Sequence, residues 1–206
     1  MSRAMTRRQP TVTWLQIHAL QPCPDAIAWG KQRYATRRTV STATLVLVLL
    51  KDNHFPWANW LLVRLMAHGQ QVAYAIYAAK QVLAIYEKRY PQDARPRKAI
   101  DAAKAYLAHP SEETKDAARV AAVSADAAAL AAAAAAPAAA LAAAATYAAY
   151  AAAYAATYAA AYAAYAAAYA ADAAYAADAA TTTKARHTIQ VKMLRYGLRV
   201  LKEANP

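Results

Sequence analysis

The sequence predicts an all-α fold: a helical bundle with long Ala/Tyr-rich helices toward its C-terminus. Three observations predict it. Residues 117–180 are dominated by alanine, the strongest helix former. Only three glycines occur, and prolines cut the rest of the chain into helix-length pieces. No apolar run finds a partner strand elsewhere in the sequence.

The elements follow in order. Residues 1–11, with Arg3, Arg7 and Arg8, read as a disordered basic tail. A first helix covers Val12 to Leu20 and stops at Pro22-Cys23-Pro24. Asp25 then caps a helix running to about Tyr34. The run Leu45 to Leu50 suits a buried strand or a buried helix by periodicity, and the missing partner strand decides for helix. Pro56 fits the first turn of a helix through Trp57, Trp60, Leu61, Arg64 and Leu65, with Gly69 placed to end it.

Gln70 to Tyr90 reads as the central helix, because Val72, Ile76, Val82, Leu83 and Ile85 spread around its circumference. Pro91 ends it, and Pro96 opens the next helix, which carries Ile100, Tyr106 and Leu107. Ser111 caps a long helix whose first turn holds Glu112 and Glu113, negative charges that suit the positive end of the helix dipole. Pro137 marks a kink, or a turn between two antiparallel helices. Ordinary amphipathic sequence returns from Thr183 to Glu203. Residues 12–110 thus form a helical core, and residues 111–206 an Ala/Tyr-rich hairpin plus a final helix, packed together as one domain.

Composition bounds the function. With 206 residues and 60% hydrophobic content the chain is long enough for one substantial core. Its formal charge of +12 attracts anionic partners such as nucleotides, nucleic acid or acidic protein faces. Cys23 is the only cysteine, which precludes an internal disulfide, and the start lacks the apolar run of a secretory signal; the expected compartment is cytoplasmic. Residues 127–171 contain no charge, yet alanine inserts weakly and Pro137 interrupts the run, so no membrane span is expected. An alanine face gains from a second close-packed helix, which points to a homo-oligomer.

No catalytic pattern emerges. His18, His54, His68, His109 and His187 are scattered, without metal-ligand spacing. Three glycines cannot furnish a glycine-rich phosphate loop, and Cys23 sits between prolines with no base in sight. The expectation is a binding protein, not an enzyme, that needs no cofactor.

Candidate ligand-binding residues fall into three groups. Arg95, Arg97 and Lys98 flank Pro96 at a helix start, where free amides also favour an anion; cations there oppose the helix dipole, so a structural counter-ion such as Asp93 or Asp101 is the competing account. Trp57 and Trp60, with Arg64 on the same helix, offer stacking surfaces beside a cation. Tyr147, Tyr150, Tyr154, Tyr158, Tyr162, Tyr165, Tyr169 and Tyr175 recur at mostly three- and four-residue steps along one helix side. That row is either a packing stripe or a platform for flat rings, with Tyr158 and Tyr165 as the stacking candidates. Lys192, Arg195, Arg199 and Lys202 stripe the last helix opposite Val191, Leu194, Leu198 and Leu201. Arg195 and Arg199 would line a groove beside the tyrosine row if the last two helices are antiparallel. Thr146 and Thr157 stand eleven residues apart, as in helical antifreeze proteins, but Ala168 fills the next position and ends that likeness.

Several local patterns coincide in order. Leu15 to Leu20 leads into Cys23, followed by Ala26-Ile27-Ala28-Trp29 and Trp57-Ala58-Asn59-Trp60-Leu61-Leu62. Then come Arg95-Pro96-Arg97-Lys98-Ala99-Ile100-Asp101-Ala102-Ala103 and the Ala-rich Tyr/Asp tract. Over residues 15–202 this resembles the immunity-protein family of phage and bacterial genomes. The resemblance implies neutralisation by binding. One reading makes the target a component of a phage–bacterium conflict system, such as an anionic nucleotide immune signal that the protein sequesters. A second makes it a protein toxin or defence protein, and a third makes the chain a structural or assembly protein.

Overall fold

Thr13 and Ser41 each end a short extended stretch and start a helix. In the computed structural model, which describes residues 10–34, 39–135, 150–152 and 182–203, the two stretches pair as antiparallel strands β1 (Thr11–Thr13) and β2 (Thr39–Ser41). Val12 faces Val40 across this ribbon, and both are buried. The Thr13 hydroxyl then accepts from the Gln16 amide at 3.1 Å to cap α1 (Trp14–Ala19), and the Ser41 hydroxyl accepts from Thr44 at 3.5 Å to cap α3 (Thr42–Lys51). The ribbon was not legible in the sequence. Val12 therefore belongs to a strand, and the first helix starts two residues later than expected.

Between them lies α2 (Pro24–Tyr34), in which Asp25 occupies the first turn instead of the cap. The apolar run Leu45 to Leu50 is helical, with Leu45, Val46, Leu49 and Leu50 turned into the core. Helix α4 (Phe55–Arg64) has Pro56 in its first turn and ends at Leu65. Gly69 does not end it; it lies in the first turn of α5 (His68–Lys80).

The expected single helix from Gln70 to Tyr90 is two. Helix α5 closes at Gln81, and α6 (Leu83–Arg89) follows. Tightened turns, with Gln81 and Val82 amides donating to Ala78 and Ala79 carbonyls at 3.1 and 3.2 Å, break the helical path. Val82, Leu83 and Tyr86 are all buried as a result. Helix α5 is the central element: Val72, Tyr74, Ala75, Ala78 and Ala79 are wholly enclosed.

Pro96 sits in the first turn of α7 (Arg95–Ala108), and a three-residue link leads to α8 (Glu112–Ala135). Ser111 caps α8 through a 3.1 Å bond from the Thr114 amide. The two helices pack along each other. Ala118, Ala122, Ala125, Ala128 and Ala129 form the buried stripe of α8, and Ala99 and Ala103 that of α7. Methyl groups let helix axes approach closely and gain dispersion over a long seam. Pro137 and the tyrosine row apart from Tyr150 lie outside the described residues. The last described helix, α9 (Thr182–Val200), packs against α4 and α5. No described helix is long and apolar enough to cross a membrane.

Candidate functional site

Helix α9 divides sharply between two faces. Met193, Leu194, Gly197, Leu198 and Val200 are buried, whereas Lys192, Arg195 and Arg199 are exposed at spacings of three and four. Gly197 allows the close docking: a Cβ there would lie 2.4 Å from Leu62 Cδ2 and 2.9 Å from Tyr74 Cε2. Tyr74 is itself fixed, because its buried hydroxyl is bonded to Asn59 Oδ1 at 2.9 Å. The free carbonyls at the end of α9 are met by a side chain of α5. Gln70 Nε2 donates to Val200 O at 2.8 Å and to Glu203 O at 3.0 Å.

This seating places Tyr196 of α9 flat on Tyr77 of α5, with ring centres 3.9 Å apart and planes 2° from parallel. The Arg199 guanidinium lies over the Tyr196 ring at 4.9 Å from its centre. Tyr77, Lys192, Arg195, Tyr196 and Arg199 together line one open hollow of about 230 Å³. Burial raises the Tyr196 pKa, with Glu203 and Tyr77 adding to the rise and Arg199 opposing it. The hollow brings three cations beside two stacked tyrosines, a combination that suits an anionic ligand.

The candidate residues read from the sequence are distributed over several places. Arg195 and Arg199 meet in the hollow. Arg95 and Arg97 are held by carboxylates: Arg95 donates from Nε at 3.0 Å and Nη2 at 2.6 Å to Asp93, and Arg97 donates from Nε and Nη2 to Glu87 at 2.7 Å. Asp93 also accepts from the Arg95 amide at 3.0 Å and from the Tyr86 hydroxyl at 2.6 Å. These bonds hold its carboxyl well below the usual range, the Arg95 side chain contributing most. The start of α7 thus already carries an internal anion, with Lys98 exposed beside it.

Trp57 stacks on His54 at 4.0 Å, and Arg64 lies over Trp60 at 5.7 Å; both tryptophans border an apolar pocket formed with α1, α2 and α3. Tyr158 and Tyr165 lie outside the described residues. Sequence reasoning found the basic stripe but not Tyr77 and Tyr196 as its partners. The signal was partial: Tyr196 sits between Arg195 and Arg199, whereas Tyr77 is 119 positions from Tyr196 and joins it only through the packing of α9 on α5. Among the described residues, no three His, Cys, Asp or Glu side chains gather as a metal-ligand set.

A family model described as Imm-5 like putative immunity protein matches residues 61–203, a span that contains every residue of the hollow. No curated protein matches the chain, and no solved structure does.

Proposed function

The chain belongs to the Imm-5 like immunity family, and we propose that it confers protection by binding alone, sequestering an anionic nucleotide signal of a phage–bacterium conflict system in the hollow between α5 and α9. One observation carries this reading: Lys192, Arg195 and Arg199 converge on the stacked pair Tyr77–Tyr196. Each arginine can grip a phosphate through two parallel N–H donors, and lysine adds a movable point charge. The tyrosine edges and hydroxyls border the space where a base would lie. The excess charge of +12 steers such a ligand inward.

Thermal unfolding against cyclic oligonucleotides, cyclic ADP-ribose isomers and linear mononucleotides tests this. A ligand at a hundred times its Kd adds about 2.7 kcal/mol to stability. For a chain of this size that raises Tm by roughly 5–10 °C. The double substitution Arg195→Glu, Arg199→Glu is expected to abolish the shift. Equal shifts in wild type and variant, or none with any nucleotide, would remove the hollow from consideration.

The second reading, neutralisation of a protein toxin, is favoured by a different observation: Trp14, Trp29, Trp57 and Trp60, drawn from three helices, gather around one small apolar pocket.

A further inference from the structure

Helical geometry spaces the three cations of the hollow. Lys192, Arg195 and Arg199 stand at steps of three and four along α9, which puts the roots of neighbouring side chains about 5–6 Å apart and the outer two about 10 Å apart along the axis. They form a row along the helix, with Lys192 at one end and Arg199 at the other.

The packing of α9 keeps that row extended. Gly197 seats the helix against Leu62 and Tyr74, and Gln70 of α5 holds the carbonyls of Val200 and Glu203. Tyr196 follows Lys192 by four residues and precedes Arg199 by three, so the stacked pair Tyr77–Tyr196 stands between the two ends of the row. The Arg199 guanidinium is drawn over the Tyr196 ring at 4.9 Å, which fixes one end.

The row also lacks internal counter-charge. All three cations are exposed, and none pairs with a carboxylate among the described residues, whereas Arg33, Arg95, Arg97 and Arg119 each do. Among the described residues that line the hollow, none is acidic. Like charges one helical turn apart repel, and a ligand that neutralises the whole row gains more than one that meets a single step of it. One phosphate seated between two neighbouring cations leaves the third a step away. Two phosphates that share a bridging oxygen lie closer together than the cations do. Two phosphates with a sugar between them are spread in the manner of the row.

We infer, resting on the function proposed above, that the hollow takes a nucleotide whose two phosphates are separated by a sugar, one between Lys192 and Arg195 and the other at Arg199, in preference to one whose phosphates are joined as a pyrophosphate. Within the proposed ligands this favours phosphodiester-linked oligonucleotides over cyclic ADP-ribose isomers, whose two phosphates are adjacent.

Adenosine 3′,5′-bisphosphate and adenosine 5′-diphosphate are isomers with the same base, sugar and number of phosphates, and they differ in where the phosphates stand. Calorimetric titration of the full chain with each, at low ionic strength and without divalent cations, reads that difference. The 3′,5′-bisphosphate is expected to bind at least about tenfold more tightly, the equivalent of one more charge-assisted contact. Its slightly larger charge also favours it, and two variants separate the causes. Lys192→Gln and Arg199→Gln change exposed side chains at opposite ends of the row, and each is expected to bring the two affinities within about threefold of each other. A pure charge effect would weaken both isomers alike and preserve their ratio. Equal binding of the isomers by the wild type, or a ratio preserved in both variants, would overturn the inference; if Arg195→Glu with Arg199→Glu still abolished binding, the hollow would remain an anion site. Binding of neither isomer would overturn the inference together with the function on which it rests.

Discussion

Replacing Gly197 by alanine tests how α9 is seated. A Cβ at this position would stand 2.4 Å from Leu62 Cδ2, 2.9 Å from Tyr74 Cε2 and 3.1 Å from Met66 Cε. Leu62 and Tyr74 have no exposed surface, and the Tyr74 hydroxyl is tied to Asn59, so neither can swing aside into solvent. Overpacking of this kind costs about 2–3 kcal/mol. Alanine returns about 1 kcal/mol, because it is the better helix former. The net expectation is a loss of about 1–2 kcal/mol, or roughly 2–8 °C in Tm for a chain of this length. Urea denaturation followed by far-UV circular dichroism measures it. Gly30→Ala is the control, since a Cβ there also meets a ring within 2.3 Å, but half-buried Trp14 can move; its cost is expected to stay under about 1 kcal/mol. If Gly197→Ala equals or exceeds the wild type in stability, helix propensity alone governs the position, and α9 is not packed as described.

Three further outcomes follow from individual contacts. Gln70→Ala removes the donor to Val200 and Glu203 carbonyls and is expected to cost about 1–2 kcal/mol, with faster amide exchange in the last turn of α9; unchanged exchange there would contradict the cap. Thr42→Val removes a fully buried hydroxyl that has no hydrogen-bond partner among the described residues, so stability is expected to stay level or rise by up to about 1 kcal/mol; a loss of that size would mean the hydroxyl is satisfied after all. The depressed pKa of Asp93 contributes stability that is present above the ordinary carboxylate range and lost as pH falls toward its folded value. Asp93→Asn should accordingly flatten the acid limb of a stability–pH curve. On the alkaline side the raised pKa values of Tyr74 and Tyr86, due first to burial, contribute stability that declines once pH passes the ordinary phenol value. An acid limb unchanged by Asp93→Asn would show that other carboxylates govern it.

Helix positions were legible where proline, serine and periodicity act locally. Pro56, Pro96 and Ser111 stand where their chemistry puts them, at helix starts, and Leu45 to Leu50 is helical, as the lack of a partner strand implied. What failed was tertiary. The pairing of Thr11–Thr13 with Thr39–Ser41 joins segments too short to announce themselves, and the break at Gln81–Val82 serves burial of Val82, Leu83 and Tyr86 more than any local signal. The same division holds for the sites. The basic stripe of Lys192, Arg195 and Arg199 follows from helical spacing, but Tyr77 and the convergence of four tryptophans arise only when distant helices pack. Asp93 stands two residues before Arg95, near enough to pair with it locally, whereas Glu87 lies ten before Arg97 and meets it only in the folded geometry.

Protection by sequestration is tested most directly by loading the full chain with the nucleotide that gives the largest thermal shift, removing free ligand, heat-denaturing the protein and identifying what is released by mass spectrometry. The account predicts the nucleotide released chemically intact and in stoichiometric amount from the wild type, and absent from the Arg195→Glu, Arg199→Glu variant. Release of a cleaved or modified nucleotide, or equal retention by the variant, would contradict it.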